Sequence, residues 1–253
     1  MMRVWQRRDA GITLVELLVG MSITGLVLAM LAAVTIGSMR STSKVSSKND
    51  VNNDARTAVS TMTQALRVAQ PILLVDGGGN PVKINGRSVN QALEVATSAS
   101  LTFYASMAAS VPSPAIAADP PPTRVTYAYN TSRRCLAETT VPGTPAMNAA
   151  NQRYYRFTAA PTTRCLAFGT VNVDGSALFS YSTLPEATAS MTAQYASPTA
   201  VSAAGAGIAA AQLASVRQVN IHLVLSAVSG AASSTTGVNS SVTLVNTLAK
   251  GSR

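Results

Sequence analysis

Few side chains in this sequence are equipped for chemistry, and their spacing narrows what they can do. Glu16 is the single charge between positions 12 and 37. A carboxylate at the centre of a bilayer costs about 2.5–3.5 kcal/mol on insertion scales, less near the interface, so an ionisable residue in such a stretch reads first as functional. The alternative is a glutamate that snorkels to the interface. His222 is the only histidine. It alternates with Val219, Ile221, Leu223 and Leu225, so it falls on the polar face of a half-buried strand, with solvent exposure its expected state. A catalytic histidine needs a nucleophile and an orienting acid, and the sequence has no G-x-S-x-G. Cys135 and Cys165 stand 30 residues apart without a C-x-x-C pair, which does not make a zinc site. The cluster Asp76-Gly77-Gly78-Gly79-Asn80-Pro81 lacks the G-K-[ST] ending of a phosphate-binding loop and reads as a turn. The expectation is a chain with no catalytic residues, no metal and no cofactor, and hence not an enzyme.

The element that must position Glu16 is a helix. The first 11 residues carry Arg3, Arg7 and Arg8, and residues 12–37 are apolar apart from Glu16. As a helix those residues span about 39 Å at 1.5 Å each, enough to cross a bilayer. Basic residues in front of the span predict a cytoplasmic leader and a C-terminus outside the cytoplasm. A Sec signal peptide would instead place a small-residue cleavage site at the far end of a shorter stretch. Ala29, Ala32 and Ala33 offer such a site, and Glu16 argues against it. Residues 38–69 contain neither proline nor glycine, and Val51, Ala55, Ala58, Val59, Met62, Leu66 and Ala69 form an i, i+3/i+4 stripe. Pro71 stops the pattern. One helix from Ile12 to about Gln70 is expected, with Gly20, Gly25 and Gly37 as weak points of about 1 kcal/mol each against Ala.

Beyond Pro71 the pattern turns to strands: 101–104, 124–129, 135–140, 154–157, 165–173 and 218–225, with a last strand at 241–246 after a Ser/Thr/Gly turn. Residues 111–122 hold five prolines and read as a loop. Residues 187–214, rich in Ala, Ser and Thr, read as a loose loop or an irregular helix. The division expected is a leader (1–11), a transmembrane helix (12–37), its amphipathic continuation (38–70) and a β-rich extracytoplasmic domain (71–253). The fold class is α+β, a long helix on an antiparallel sheet.

Charged residues make up only 11 %, well under the roughly 25 % of an ordinary soluble domain, which suits a surface set against other subunits. Arginine outnumbers lysine and the net charge is +9, a balance that favours anionic partners. Arg124, Arg133, Arg134, Arg153, Arg156 and Arg164 are the candidate DNA-binding patch, against the plainer reading that dispersed arginines keep the chain soluble. In an exported domain Cys135 and Cys165 are expected to form a disulfide, closing a loop worth about 3–4 kcal/mol in the chain-entropy account; two buried thiols are the alternative.

The run Gly11-Ile12-Thr13-Leu14-Val15-Glu16-Leu17-Leu18-Val19 behind a basic leader resembles the class III signal of type IV pilins and type II secretion pseudopilins. The resemblance implies cleavage after Gly11 by a prepilin peptidase and methylation of the new N-terminus at Ile12. Glu16 becomes the fifth mature residue and pairs with the N-terminal amine of a neighbouring subunit. Ile12 departs from the phenylalanine the family most often has there. The order of the later segments is similar to that of PilW-type minor pilins and the J-type minor pseudopilin. The implied function is a structural minor pilin. Its partners are other pilin subunits, the prepilin peptidase, the inner-membrane assembly platform and, before assembly, the lipid bilayer. A minor pseudopilin and a DNA-binding competence pilin are the alternatives.

Overall fold

Helix α1 runs without interruption over Leu14–Arg67, 54 residues. The structure, a computed structural model, describes residues 13–76, 79–84, 87–88, 90–106, 121–172, 174–183, 199–201, 207–229 and 232–244. The helix passes through Gly20, Gly25 and Gly37, and a side chain added at any of them would meet open space. The hydroxyls of Ser22, Thr24 and Thr35 donate to the carbonyls of Leu18, Gly20 and Leu31, four residues back, at 2.7–2.9 Å. Each hydroxyl in the apolar half is thereby satisfied inside its own helix.

The helix ends at Arg67 and not at Gln70. Val68, Ala69 and Gln70 join the sheet instead: Ala69 bridges Ala105, Gln70 N donates to Tyr104 O, and Ser106 N donates to Val68 O. A proline disfavours helical geometry in the residue before it, and the neighbouring strand captures the extended segment that results.

The chain divides into two compact units, Met1–Ser46 and Ser47–Arg253. In the first, every described residue is exposed, including Leu14, Leu17, Leu18, Ile23, Leu26 and Leu31. In the second, all seven stripe residues from Val51 to Ala69 are buried, and Ala55, Ala58, Met62 and Leu66 are fully so.

Sixteen strands are described. β1 (Ile72–Leu73) pairs with β4 (Asn90–Gln91), and β2 (Lys83–Ile84) with β3 (Arg87–Ser88). The first large sheet has the order β11-β8-β7-β6-β5 and is antiparallel: β5 is Leu93–Ala96, β6 Ser100–Ala105, β7 Thr123–Asn130, β8 Cys135–Pro142 and β11 Thr162–Phe168. A hairpin of β9 (Thr144–Met147) and β10 (Arg153–Arg156) is inserted between β8 and β11. In the second sheet β15 (Gln218–Ser229) is central. β16 (Ala232–Thr243) lies along one side of it, and β12 (Thr170–Val171) and β13 (Phe179–Thr183) along the other; β14 (Thr199–Val201) follows β13. One short helix, α2, covers Ala210–Leu213.

Period-two alternation decides which residues line the core. Leu101, Phe103, Val125 and Tyr127 face inward from the first sheet, and Phe179, Tyr181, Val219, Ile221, Leu223 and Leu225 from the second. Both sets join the helix stripe in one buried cluster. The sheets meet at Gly169, which sits at φ 133° between β11 and β12, where a Cβ would come within 2.5 Å of Ser226 O. Only glycine fits that corner.

The segment read as a Ser/Thr/Gly turn before position 241 is strand. β16 pairs with β15 residue for residue from Ser229↔Ala232 to Gln218↔Thr243. Its inner side chains touch the helix: Thr236 Oγ1 donates to Asn52 Oδ1 at 3.4 Å, and Thr63 and Ser240 hydroxyls lie 3.2 Å apart. The strand expected at 165–173 is broken by the Gly169 corner into β11 and β12. Most of the proline-rich loop lies outside the described residues, as does most of 187–214, in which the described residues include the strand β14 and the short helix α2.

Candidate functional site

Thr13 immediately precedes the helix, and Glu16 lies in its first turn. Glu16 N donates to Thr13 Oγ1 at 3.3 Å, and Glu16 Oε2 accepts from Thr13 N at 3.1 Å and Thr13 Oγ1 at 3.2 Å. This is a capping box: two backbone donors that a helix start leaves unpaired are satisfied reciprocally. The carboxylate also sits where the helix dipole favours negative charge. The cap uses a fraction of the oxygens' accepting capacity, which leaves room for a cation. The T-x-x-E spacing of Thr13 and Glu16 is a capping signal that the sequence itself carries. Gly11 and Ile12 lie outside the described residues.

Around this carboxylate the helix is exposed and, apart from a few hydroxyls, apolar. Its most apolar stretch has a mean hydropathy of 2.4, and it is the one helix among the described residues long and apolar enough to cross a membrane. Side chains such as Leu14 and Val34, 82 % and 71 % exposed, need a non-aqueous neighbour.

The other expected site residues fall in the second unit. Cys135 and Cys165 are bonded, with Cα atoms 5.7 Å apart, and join β8 to the edge strand β11. The six arginines do not share one face. Arg164 is opposite Glu138, which is opposite Tyr127 on the inner face, whereas Arg124 is opposite Val141 on the outer face. Arg164 Nη2 and Nε bind the buried Glu138 Oε2 at 2.7 and 3.0 Å. Arg124 lies 3.7 Å from Glu94 and over the ring of Phe157. Arg153 and Arg156, three apart on β10, point to opposite sides of their hairpin and lie over Tyr155 and Tyr154. Arg133 and Arg134 are in the β7–β8 turn, where Arg134 takes φ 49°. No sequence signal marked Glu94 and Glu138 as partners, because strand register creates both pairs.

His222 is 41 % exposed at its side chain. Its Nε2 is 4.0 Å from Asp174 Oδ2, and its Nδ1 bonds Asn239. Ser176 donates to Asp174 and not to the imidazole. A histidine flanked by Asp and Asn, with the serine hydrogen-bonded to the acid, lacks the base–nucleophile contact of acyl transfer. The Ser176 hydrogen bonds, more than the nearby His222, hold the Asp174 carboxyl below its ordinary range.

Neither a curated protein nor a solved structure matches the chain significantly, and the narrower likeness to PilW-type pilins or the J-type pseudopilin gains nothing there. Residues 6–32 match the prokaryotic N-terminal methylation motif, a stretch that holds Arg7, Arg8, Gly11, Glu16 and the first part of the apolar helix; this match supports a type IV pilin-like or pseudopilin subunit and suggests a structural protein, and with the long apolar helix it fits membrane anchoring.

Proposed function

We propose that the chain is a minor pilin-type subunit of a type IV pilus-like filament. It enters the cytoplasmic membrane through residues 12–37 with its C-terminus outside, and a prepilin peptidase cleaves it between Gly11 and Ile12. Ile12 is methylated, and the N-terminal helix joins other subunits through the assembly platform. The observation that carries this reading is the placement of Glu16: the one charge between positions 12 and 37, inside the matched motif and at the first turn of a helix that is exposed and otherwise uncharged as far as Gly37. Cleavage creates an amine at Ile12. In an apolar filament core, pairing of that amine with a neighbour's Glu16 offsets desolvation of both charges and fixes the axial register. The large globular unit of residues 47–253 suits an infrequent or tip position more than the repeating shaft. Mass spectrometry of the mature N-terminus tests the reading. The expected product is N-methylated Ile12; a start at Ala33 or beyond would mean an ordinary signal peptidase.

A further inference from the structure

Strand β16 closes the second sheet, and among the described residues its outer edge has no partner strand. Which backbone groups face outward follows from the ladder. Leu244 N donates to Arg217 O at 2.7 Å, so that pair is of the hydrogen-bonded kind, and alternation extends it to Val242, Ser240, Val238, Thr236 and Ser234. The N–H and C=O groups of Thr235, Gly237, Asn239, Ser241 and Thr243 therefore point away from β15.

Edges of this kind are normally blunted by brevity, a bulge, a proline or a lysine. The other edges here follow that rule. β5 and β11, the edges of the first sheet, each carry a register shift, at Leu93/Val95 and Cys165/Ala167. β14 is three residues long. β16 has 12 residues, no register shift, no proline and no charge.

The helix flank beside this edge presents two arginines. Asn52 Oδ1, which accepts from Thr236, also accepts from Arg56 Nε at 3.3 Å. Arg56 follows Asn52 by four residues and Arg67 follows Thr63 by four, so each lies about 40° further round the helix, in the same sense. Both arginines are exposed, and neither is in an ion pair among the described residues.

We propose that the free edge of β16 receives an extended segment of another protein chain, added as a further strand. Acidic residues at its inward positions would meet Arg56 and Arg67. Backbone pairing supplies the affinity and the alternate side chains the selectivity. The helix contacts of β16, Thr236 and Ser240, are four residues apart, so two carboxylates at that spacing match the two arginines. β16 itself carries no carboxylate, so a second copy paired edge to edge would leave the arginines unmatched. The surface is separate from the N-terminal motif and does not require filament assembly.

The test uses the full chain in detergent micelles at low salt. The probe is a ten-residue alternating Thr/Val peptide with Glu at two same-face positions four apart, followed by fluorescence anisotropy. Binding at least ten-fold tighter than that of the Lys counterpart is expected. Methylating the peptide amides that face β16 should abolish binding, and methylating the opposite set should leave it. Arg56→Glu should remove the preference for Glu. Ser241→Pro should remove binding with the thermal melt unchanged, because the amide it deletes points outward. Equal binding of the Glu and Lys peptides, insensitivity to backbone methylation, or no binding would overturn the proposal. So would a dimer of the chain dispersed by Ser241→Pro, which would identify a second copy as the occupant.

Discussion

The hydroxyls of Tyr127 and Tyr181 stand in opposite situations within one core. Tyr181 Oη donates to Thr97 O at 2.7 Å, whereas the buried Tyr127 hydroxyl has no hydrogen-bond partner among the described residues. Removing a made bond costs about 1 kcal/mol, and removing an unmade one costs nothing or helps. Tyr181→Phe is therefore expected to destabilise the fold by about 1 kcal/mol in urea melts, and Tyr127→Phe to be neutral or stabilising. Burial raises the phenol pKa of Tyr104, Tyr127 and Tyr181 far above the ordinary value, with Glu138 adding to the effect at Tyr127. A raised folded pKa favours the neutral form in the fold. The stability it contributes is whole below the unfolded pKa of about 10 and falls as pH rises from there toward the folded values. Melts at pH 8 and pH 11 should show the loss, and it should be smaller in Tyr127→Phe. Arginines at the same scale divide by partner. Arg164→Ala strands the buried Glu138 carboxylate and is expected to cost about 2 kcal/mol, discounted for the exposed guanidinium. Arg133→Ala, in an exposed turn, should stay within about 0.5 kcal/mol. Equal effects of the two would mean that the Glu138 pair contributes nothing to stability.

Elements were legible where one periodicity governed them. The helix stripe from Val51 to Ala69 could be read because a 3.6-residue repeat of Ala, Val, Met and Leu has one folded solution, and all seven positions are buried. Met62 is the largest of them with no exposure, so Met62→Ala should cost about 2–5 kcal/mol, whereas Leu28→Ala in the exposed half should leave the melt of the globular unit unchanged. Comparable losses from both would mean that the two halves are not packed differently. The alternation at 218–225 marked β15 for the same reason. Only the end of β16, from Ser241, was legible as strand; residues 232–240 were not. The inner positions there, Thr236, Val238 and Ser240, are too weakly apolar for a period-two signal, and the Ser, Thr, Asn and Gly content reads as turn. Pairing with β15 and contact with the helix override that local preference. The Gly169 corner was hidden too, because a close approach to Ser226 is set by tertiary structure and leaves no local mark.

At the scale of the whole molecule, a well-packed sheet unit is joined in sequence to a helix segment in which no described residue is buried. The α+β class and the motif were legible because a long apolar run, an unbroken helical stripe and alternating strands are written in local sequence; the disposition of the arginines was not, because it depends on strand register. On the proposed function such a helix segment is covered by bilayer before assembly and by neighbouring subunits afterwards, and Glu16 tells the two states apart. In the bilayer the carboxylate is a cost, relieved in part by the Thr13–Glu16 cap. Glu16→Val should therefore leave membrane insertion intact or favour it. Cleavage should survive, since Gly11 and the leader are unchanged. Loss of the cap is worth about 1 kcal/mol at one end of a 54-residue helix and should not unfold it. Incorporation should fail, because a neighbour's Ile12 amine would enter an apolar core without a counter-ion. The measurement compares Glu16→Val with wild type in membrane and sheared-filament fractions, read on the subunit itself because a minor component need not alter total filament mass. Variant protein in the membrane and missing from filaments is the expected result, while equal amounts in both fractions would show that Glu16 acts only as the cap of its own helix.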